Sequence, residues 1–260
     1  MDKPSIHVGV VTPVWECEQW IKRSLESIQN QTYRHFRCVV VDDNSSDRSY
    51  EIARETVGDD ERFIVIKNSE RRFVLANTLM ATQKAADSPE DVIVIVDGDD
   101  WLKHDRVFEK IAQIYTDPDV WLTYGNSELL NRPRRARLLG RQVKGTEPYP
   151  QPVLDTNLFR YHTFLASHLR TYRKFLWDKV RDEDLRDTDG EYFWAAGDAA
   201  AGFPMLEMAT AKHIRYIDEV LYVYNNNHAN SDNRPELRNR KLKVKLEIAS
   251  RPRYSPLDPD

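Results

Sequence analysis

Cysteine is nearly absent from this 260-residue chain, with only Cys17 and Cys38 present. Two cysteines so placed exclude a disulfide framework and the paired spacing of a structural zinc site, which fits a reducing compartment. Basic charge is not in excess either. The net charge of −4 gives no electrostatic case for nucleic-acid binding. No apolar run approaches the ~20 residues needed to cross a bilayer, and the N-terminus lacks the apolar core and cleavage site of a signal peptide. The expectation is a cytoplasmic protein without a transmembrane segment. Internal repeats and long low-complexity stretches are also missing. What remains, with 40% hydrophobic residues, suits one large α/β domain.

The run Val92-Ile93-Val94-Ile95-Val96 reads as a strand buried on both faces of a parallel sheet. It ends in Asp97-Gly98-Asp99-Asp100-Trp101. Crowded carboxylates repel and are costly to bury, and a hard divalent cation removes the conflict while bridging a substrate diphosphate. The alternative is an acidic turn in which one aspartate caps a helix. Ligands of open α/β sheets bind beyond the carboxyl ends of strands, where this cluster sits.

Further strands are expected at Ile6–Val11, Phe36–Val41, Arg62–Lys67 and Val120–Tyr124, and helices at Glu18–Gln29, Arg48–Val57, Val74–Ala86 and Lys103–Tyr115. Strands alternating with helices of that length imply βαβ units and a mostly parallel, Rossmann-like sheet. Beyond it, Asn131–Pro152 reads as a long basic loop, Leu158–Lys179 as helical in its later part, and the segment after Gly197 as a helix through Met208. His213–Ile217 and Val220–Tyr224 are short strand candidates, and the last ten residues read as poorly packed.

Four ordered motifs carry a resemblance. Val11-Thr12-Pro13-Val14-Trp15-Glu16, Gln29-Asn30-Gln31-Thr32-Tyr33, Val40-Val41-Asp42-Asp43-Asn44-Ser45-Ser46-Asp47 and Val96-Asp97-Gly98-Asp99-Asp100 resemble, in order and spacing, the signatures of a family 2 glycosyltransferase. The resemblance covers roughly the first 125 residues. It implies the GT-A fold over residues 1–260, with 1–125 as the nucleotide-sugar half and 126–260 as the acceptor half and tail. It also implies inverting transfer of a sugar from a nucleotide-diphosphate donor, with Mn²⁺ or Mg²⁺ as cofactor and a glycan, protein or lipid as acceptor.

By the same resemblance, Thr12 and Pro13 line the base and ribose pocket, and Asp43 reads a uracil ring, which suggests a UDP-sugar. Arg72 lies near the base or phosphates, or is an exposed charge ahead of a helix. Asp97 holds the ribose, and Asp99 the metal, with Asp100 a further metal contact. An inverting reaction needs a general base, for which Asp198 is the candidate. Its motif is Gly197-Asp198 where the family carries Glu-Asp, and a helix-capping role is the alternative. Asp189 and Glu191 are reserve candidates. His168 and Arg170 resemble a segment beside acceptor and donor sugar. His228 either closes the metal site or is a loop histidine. Trp101 and Trp194, flanking the acidic residues, are acceptor-stacking candidates, with core packing the default. Arg132, Arg134, Arg135, Arg137 and Arg141 read from composition as a solvated stretch, with a lid over the diphosphate or a contact with an anionic acceptor or membrane surface as alternatives; the stretch lacks the apolar face of an amphipathic helix.

Two other classes fit the sequence less well. A nucleotidyltransferase would carry a glycine-rich basic loop after the first strand, whereas Thr12–Glu16 has no glycine. A non-catalytic glycan-binding module would have no need of the aspartates. The chain also lacks the Gln-x-x-Arg-Trp motif of processive synthases.

Overall fold

The strand β1 (Val8–Val14) is an inner strand of the sheet and is buried along its whole length. In the computed structural model, which describes residues 6–131, 146–227 and 237–258, it pairs in parallel with β2 (Phe36–Asp42) on one side and β4 (Val92–Ile95) on the other. β3 (Phe63–Lys67) extends the parallel set beyond β2. The helices α1 (Ile21–Gln29), α2 (Ser49–Val57) and α3 (Phe73–Ala85) make the crossovers. Ile21, Leu25 and Ile28 of α1 are spaced to form one buried stripe, the amphipathic pattern of a helix covering a sheet. At the start of α2, Asp47 Oδ1 accepts the Ser49 amide at 2.9 Å, satisfying a donor that the first turn leaves open.

With β5 (Trp101–Leu102), β6 (Leu122–Leu129), β7 (Thr171–Arg173) and β8 (Ile214–Tyr224), the full order is β3-β2-β1-β4-β7-β6-β8-β5. β5 is a two-residue strand, followed by α4 (Val107–Ile114) and β6. β7 is antiparallel to both β4 and β6, and β8 runs parallel to β6 and antiparallel to β5. Two apolar cores cover the faces. One gathers Val8, Val10, Val94 and Val96 beneath α1 and α4; the other packs Val11, Ile93 and Ile95 against α3 and the later helices. Full burial of each such side chain contributes about 1.5–3 kcal/mol.

The second half departs from expectation at three places. Leu158–Lys179 ends in a helix as expected, α6 (Lys174–Asp178), but before it come a 3₁₀ turn at Phe159–Tyr161 and the unexpected strand β7. It follows a short helix, α5 (Gln151–Thr156). The gap between β4 and β6 is filled by Thr171–Arg173 as a strand, because tertiary pairing overrides local propensity. The two expected strands around Asp218 are one strand, β8, with register shifts where it pairs Gly125–Ser127. The tail is packed. α8 (Arg238–Ser250) buries Val244 and Ile248, the Tyr254 hydroxyl donates to Asp184 Oδ2 at 2.7 Å, and the Leu257 amide donates to the Met208 carbonyl at 3.0 Å.

A buried ion pair anchors this closure. Arg160 and Glu207, whose side chains are 2% and 0% exposed, form a bidentate contact at 2.8 and 3.1 Å. Arg160 also donates to the Ile248 carbonyl at 2.8 Å, and Glu207 accepts the Tyr254 amide at 3.0 Å. Glu207 lies on α7 (Gly197–His213), which contains Pro204 and breaks its helical path at Thr210.

Candidate active site

The carboxyl ends of β1, β2 and β4 open into a cleft of about 720 Å³. Pro13, Asp43, Asp97, Asp99, Asp100, His168, Arg170, Trp194 and Asp198 all line it. Three loops therefore converge, as expected for strand ends on one edge of a sheet. Gly98 permits the tight turn of the aspartate cluster: a Cβ there would lie 2.8 Å from Val14 Cγ2 and 3.1 Å from the Pro13 carbonyl.

Within the cluster the aspartates differ. Asp100 is 1% exposed; one carboxylate oxygen accepts the Tyr222 hydroxyl at 2.8 Å and the other the Asn225 amide at 2.6 Å. Burial, with Asp99 and Asp97 beside it, pushes the Asp100 carboxyl well above the usual carboxylate range. The pairing of Val94 with Thr171, continued in antiparallel register, carries His168 past the end of β4 towards Asp97. Their side chains stand 3.9 Å apart. The His168 ring stacks on Tyr222 and Tyr224, with centroids 4.8 and 5.3 Å away. Burial, reinforced by Arg170, holds its pKa well below the usual imidazole value, which favours the neutral ring, and its Nδ1 stands 3.4 Å from Arg170 Nη1.

Ligand atoms of Asp97, Asp100 and His168 lie within 4.8 Å of one another. Two oxygens and a neutral imidazole nitrogen suit a divalent cation such as Mn²⁺, and a cation would relieve the carboxylate crowding. This triad differs from the expected one. Asp99 lines the cleft but is not part of the three-residue group, whereas His168 joins it, and His228 lies outside the described residues, as does the stretch Arg132–Arg141.

Other candidates are redistributed. Thr12 is fully buried, with its hydroxyl 3.7 Å from Cys38 Sγ; strand alternation turns it into the sheet's packing rather than the cleft. Asp43 accepts the amides of Arg72 and Phe73 at 2.7 and 2.9 Å and the Asn68 side chain at 3.0 Å. It therefore organises the entry to α3 as well as lining the cleft. Phe73, with φ of 63°, sits in the left-handed region that is strained for a bulky residue. That bend puts Arg71, not Arg72, at the site. The Arg71 guanidinium lies 3.4 Å over the Trp15 ring and lines the cleft, while Arg72 points to Glu70 with 53% of its side chain exposed. The sequence holds no signal to separate these neighbours.

Trp101 takes the default core role rather than the acceptor-stacking one. It is 4% exposed, stacks with Trp20 at 6.4 Å and carries the Arg23 guanidinium at 3.8 Å, on the face packed by α1. Trp194 does line the cleft, beneath the Arg240 guanidinium at 4.5 Å. Asp198 is exposed in the first turn of α7, where its Oδ1 accepts the Ala199 amide at 2.9 Å. The turn before it is set by Ala196 at φ of 56° and by Gly197, whose Cβ would lie 3.2 Å from Leu75 Cβ. Arg170 stands between the two acidic groups: burial opposes its charge, but Asp97 and Asp198 together raise its pKa. Asp189 and Glu191 are exposed and do not line the cleft. Tyr222, Tyr224 and Asn225 escaped notice because a returning strand and its exit brought them to the cluster.

The mostly parallel sheet, with its antiparallel β7 and a ligand cleft over the aspartate turn, is the GT-A architecture. The family model described as Glycosyl transferase family 2 matches residues 9–181, and the chain belongs to that family. An uncharacterized glycosyltransferase of Methanocaldococcus jannaschii is 32% identical over 197 residues, covering 75% of this chain and 64% of that protein. Glycosyltransferase GlyA of Streptococcus pneumoniae serotype 4 is 30% identical over 124 residues, covering 46% of this chain and 17% of that one. The chain thus spans less than two thirds of the length of these curated relatives. Among solved structures, S. aureus TarS 1-349 in complex with UDP-GlcNAc superposes with a TM-score of 0.63 at 18% identity, over 94% of this chain and 67% of that one. Mannosyltransferase PcManGT from Pyrobaculum calidifontis, in complex with GDP-Man and Mn²⁺, gives 0.63 at 16% identity, over 98% and 68%. At these identities the structural likeness concerns the fold.

Proposed function

We propose that this chain transfers a sugar, with inversion, from a UDP-sugar to a hydroxyl acceptor, using a divalent cation and Asp198 as general base. The observation that carries the reading is the placement of the aspartate turn and Asp198 in one cleft with Asp43. Asp43 Oδ2 already accepts the Phe73 amide, yet a carboxylate oxygen has room for a second donor, here the imide N–H of uracil. Pro13 and Arg71 would flank the base, and Asp97 the ribose.

Asp97, Asp100 and His168 would hold the cation, with Asp99 supplying a further oxygen. When bound, the cation supplies Lewis-acid neutralisation of charge on a leaving diphosphate. Arg170, kept charged between Asp97 and Asp198, would orient the sugar and screen the two carboxylates from one another. Asp198 is exposed and so can reach an acceptor hydroxyl, whose proton it would take as the oxygen attacks the anomeric carbon. Trp194 would offer its ring to a sugar face. GDP-sugars remain the alternative donor class, since PcManGT was solved with GDP-Man.

The test is a thermal-shift screen of UDP- and GDP-sugars with Mn²⁺, run on the native chain and on Asp99→Ala. A bound donor raises the melting temperature by mass action. The reading expects a metal-dependent shift with UDP-sugars that Asp99→Ala diminishes. Absence of any shift and of donor turnover with both classes would overturn it.

A further inference from the structure

Helix α8 carries an apolar pair that the cleft and the core do not use. Val244 and Ile248 are buried, while Arg240, Lys241 and Lys245 line the cleft. At 100° per residue, Leu242 and Leu246 fall on the opposite face, one turn apart. They are 53% and 61% exposed, and among the described residues only Tyr161 is a large hydrophobic side chain more exposed than these two. Arg238 and Lys243 flank them and are likewise exposed. The helix holds five basic residues, Arg238, Arg240, Lys241, Lys243 and Lys245, against the single acidic Glu247. Glu247 in turn is paired with Arg251 at 2.9 Å. This basic helix stands out in a chain whose net charge is −4.

We propose that the outer face of α8 docks on the anionic surface of a phospholipid bilayer, with Leu242 and Leu246 entering the headgroup boundary. Two leucines bordered by cations match the chemistry of an interfacial helix, whose apolar face sinks a short way in while the cations meet anionic headgroups. Charge complementarity selects the bilayer over a neutral apolar partner. Because the inner face of the same helix lines the cleft, docking would hold the cleft close to the membrane surface. The proposal stands apart from the assignment of the reaction, since neither leucine lines the cleft.

The experiment is co-sedimentation of the full chain with vesicles of phosphatidylcholine alone or mixed with phosphatidylglycerol. The native chain should bind the mixed vesicles and release from them as salt rises. Leu242→Glu/Leu246→Glu should weaken partitioning about tenfold or more, with its circular dichroism and donor-induced thermal shift unchanged. Arg238→Glu/Lys243→Glu should weaken it as well. Failure of the native chain to prefer the mixed vesicles overturns the proposal. So does full binding by the leucine variant, which would mean plain polyanion recognition. A dimer in sedimentation velocity that the leucine variant breaks would assign the face to a second copy of the chain, again against the proposal.

Discussion

The Tyr222 hydroxyl donates to Asp100 Oδ2 at 2.8 Å and accepts the Asp97 amide at 3.1 Å. One phenol on β8 thus fixes both ends of the aspartate turn, while its ring also supports His168. Tyr222→Phe keeps the ring and removes the bridge. Outer partners of metal ligands are worth about 10–100-fold in metal affinity, so the Mn²⁺ concentration for half-maximal activity should rise by about that factor. The Michaelis constant for donor at saturating Mn²⁺ should change less. An unaltered Mn²⁺ dependence would leave Tyr222 with packing alone.

Asp198→Asn is expected to retain the donor-induced thermal shift and lose transfer by about 10²–10⁴-fold, the range for removal of a general base. Initial rates of nucleoside diphosphate release would measure it. Near-native transfer would move the base elsewhere.

Arg71 and Arg72 should separate cleanly. Arg71→Ala removes a guanidinium stacked on Trp15 within the cleft and should weaken donor binding about tenfold, with a cation–π contribution of about 1 kcal/mol. Arg72→Ala, on an exposed side chain, should be neutral. Isothermal titration with the donor compares them, and equal effects would contradict the placement.

Glu207→Gln should destabilise the fold by about 3–5 kcal/mol, because removing one partner of a buried ion pair strands the other. Arg160 would keep its charge at 2% exposure. The denaturant midpoint should fall at unchanged slope.

Acid should remove one local contribution at the amino-terminal end of β3. The Arg62 side chain bonded to Asp60 holds its carboxyl down to about 2, from an ordinary value of 3.8. A depressed folded-state pKa stabilises above the unfolded value and is lost as pH falls through the folded one. The contribution is therefore complete above pH ~4 and vanishes towards pH ~2. For this partly solvated pair it amounts to no more than about 1 kcal/mol. Asp60→Asn should flatten the stability curve in that window and leave it unchanged at neutral pH apart from a constant offset.

The first half of the chain was readable because its signals are local. Continuous β-branched runs at Phe36–Val41 and Val92–Val96 lie where parallel strands form, and the helical stripe of Ile21, Leu25 and Ile28 is buried as its spacing requires. In the second half, β7 and β8 exist because β4 and β6 offer unpaired edges, a condition set by partners distant in sequence. Local pattern could not anticipate that Thr171–Arg173 would be a strand or that Tyr254 and Leu257 would return to bond with Glu207 and Met208 of α7.

By itself the sequence determined the alternating α/β order, the acidic turn at the end of a buried strand, and the family. Each is written in contiguous residues, where periodicity and spacing act directly. Only the tertiary structure decided which side chains meet: Arg71 rather than Arg72, His168 with Asp97 and Asp100, Tyr222 beneath them, and Trp101 turned into the core. Those choices follow from strand register, and a shift of one residue exchanges the two faces of a sheet.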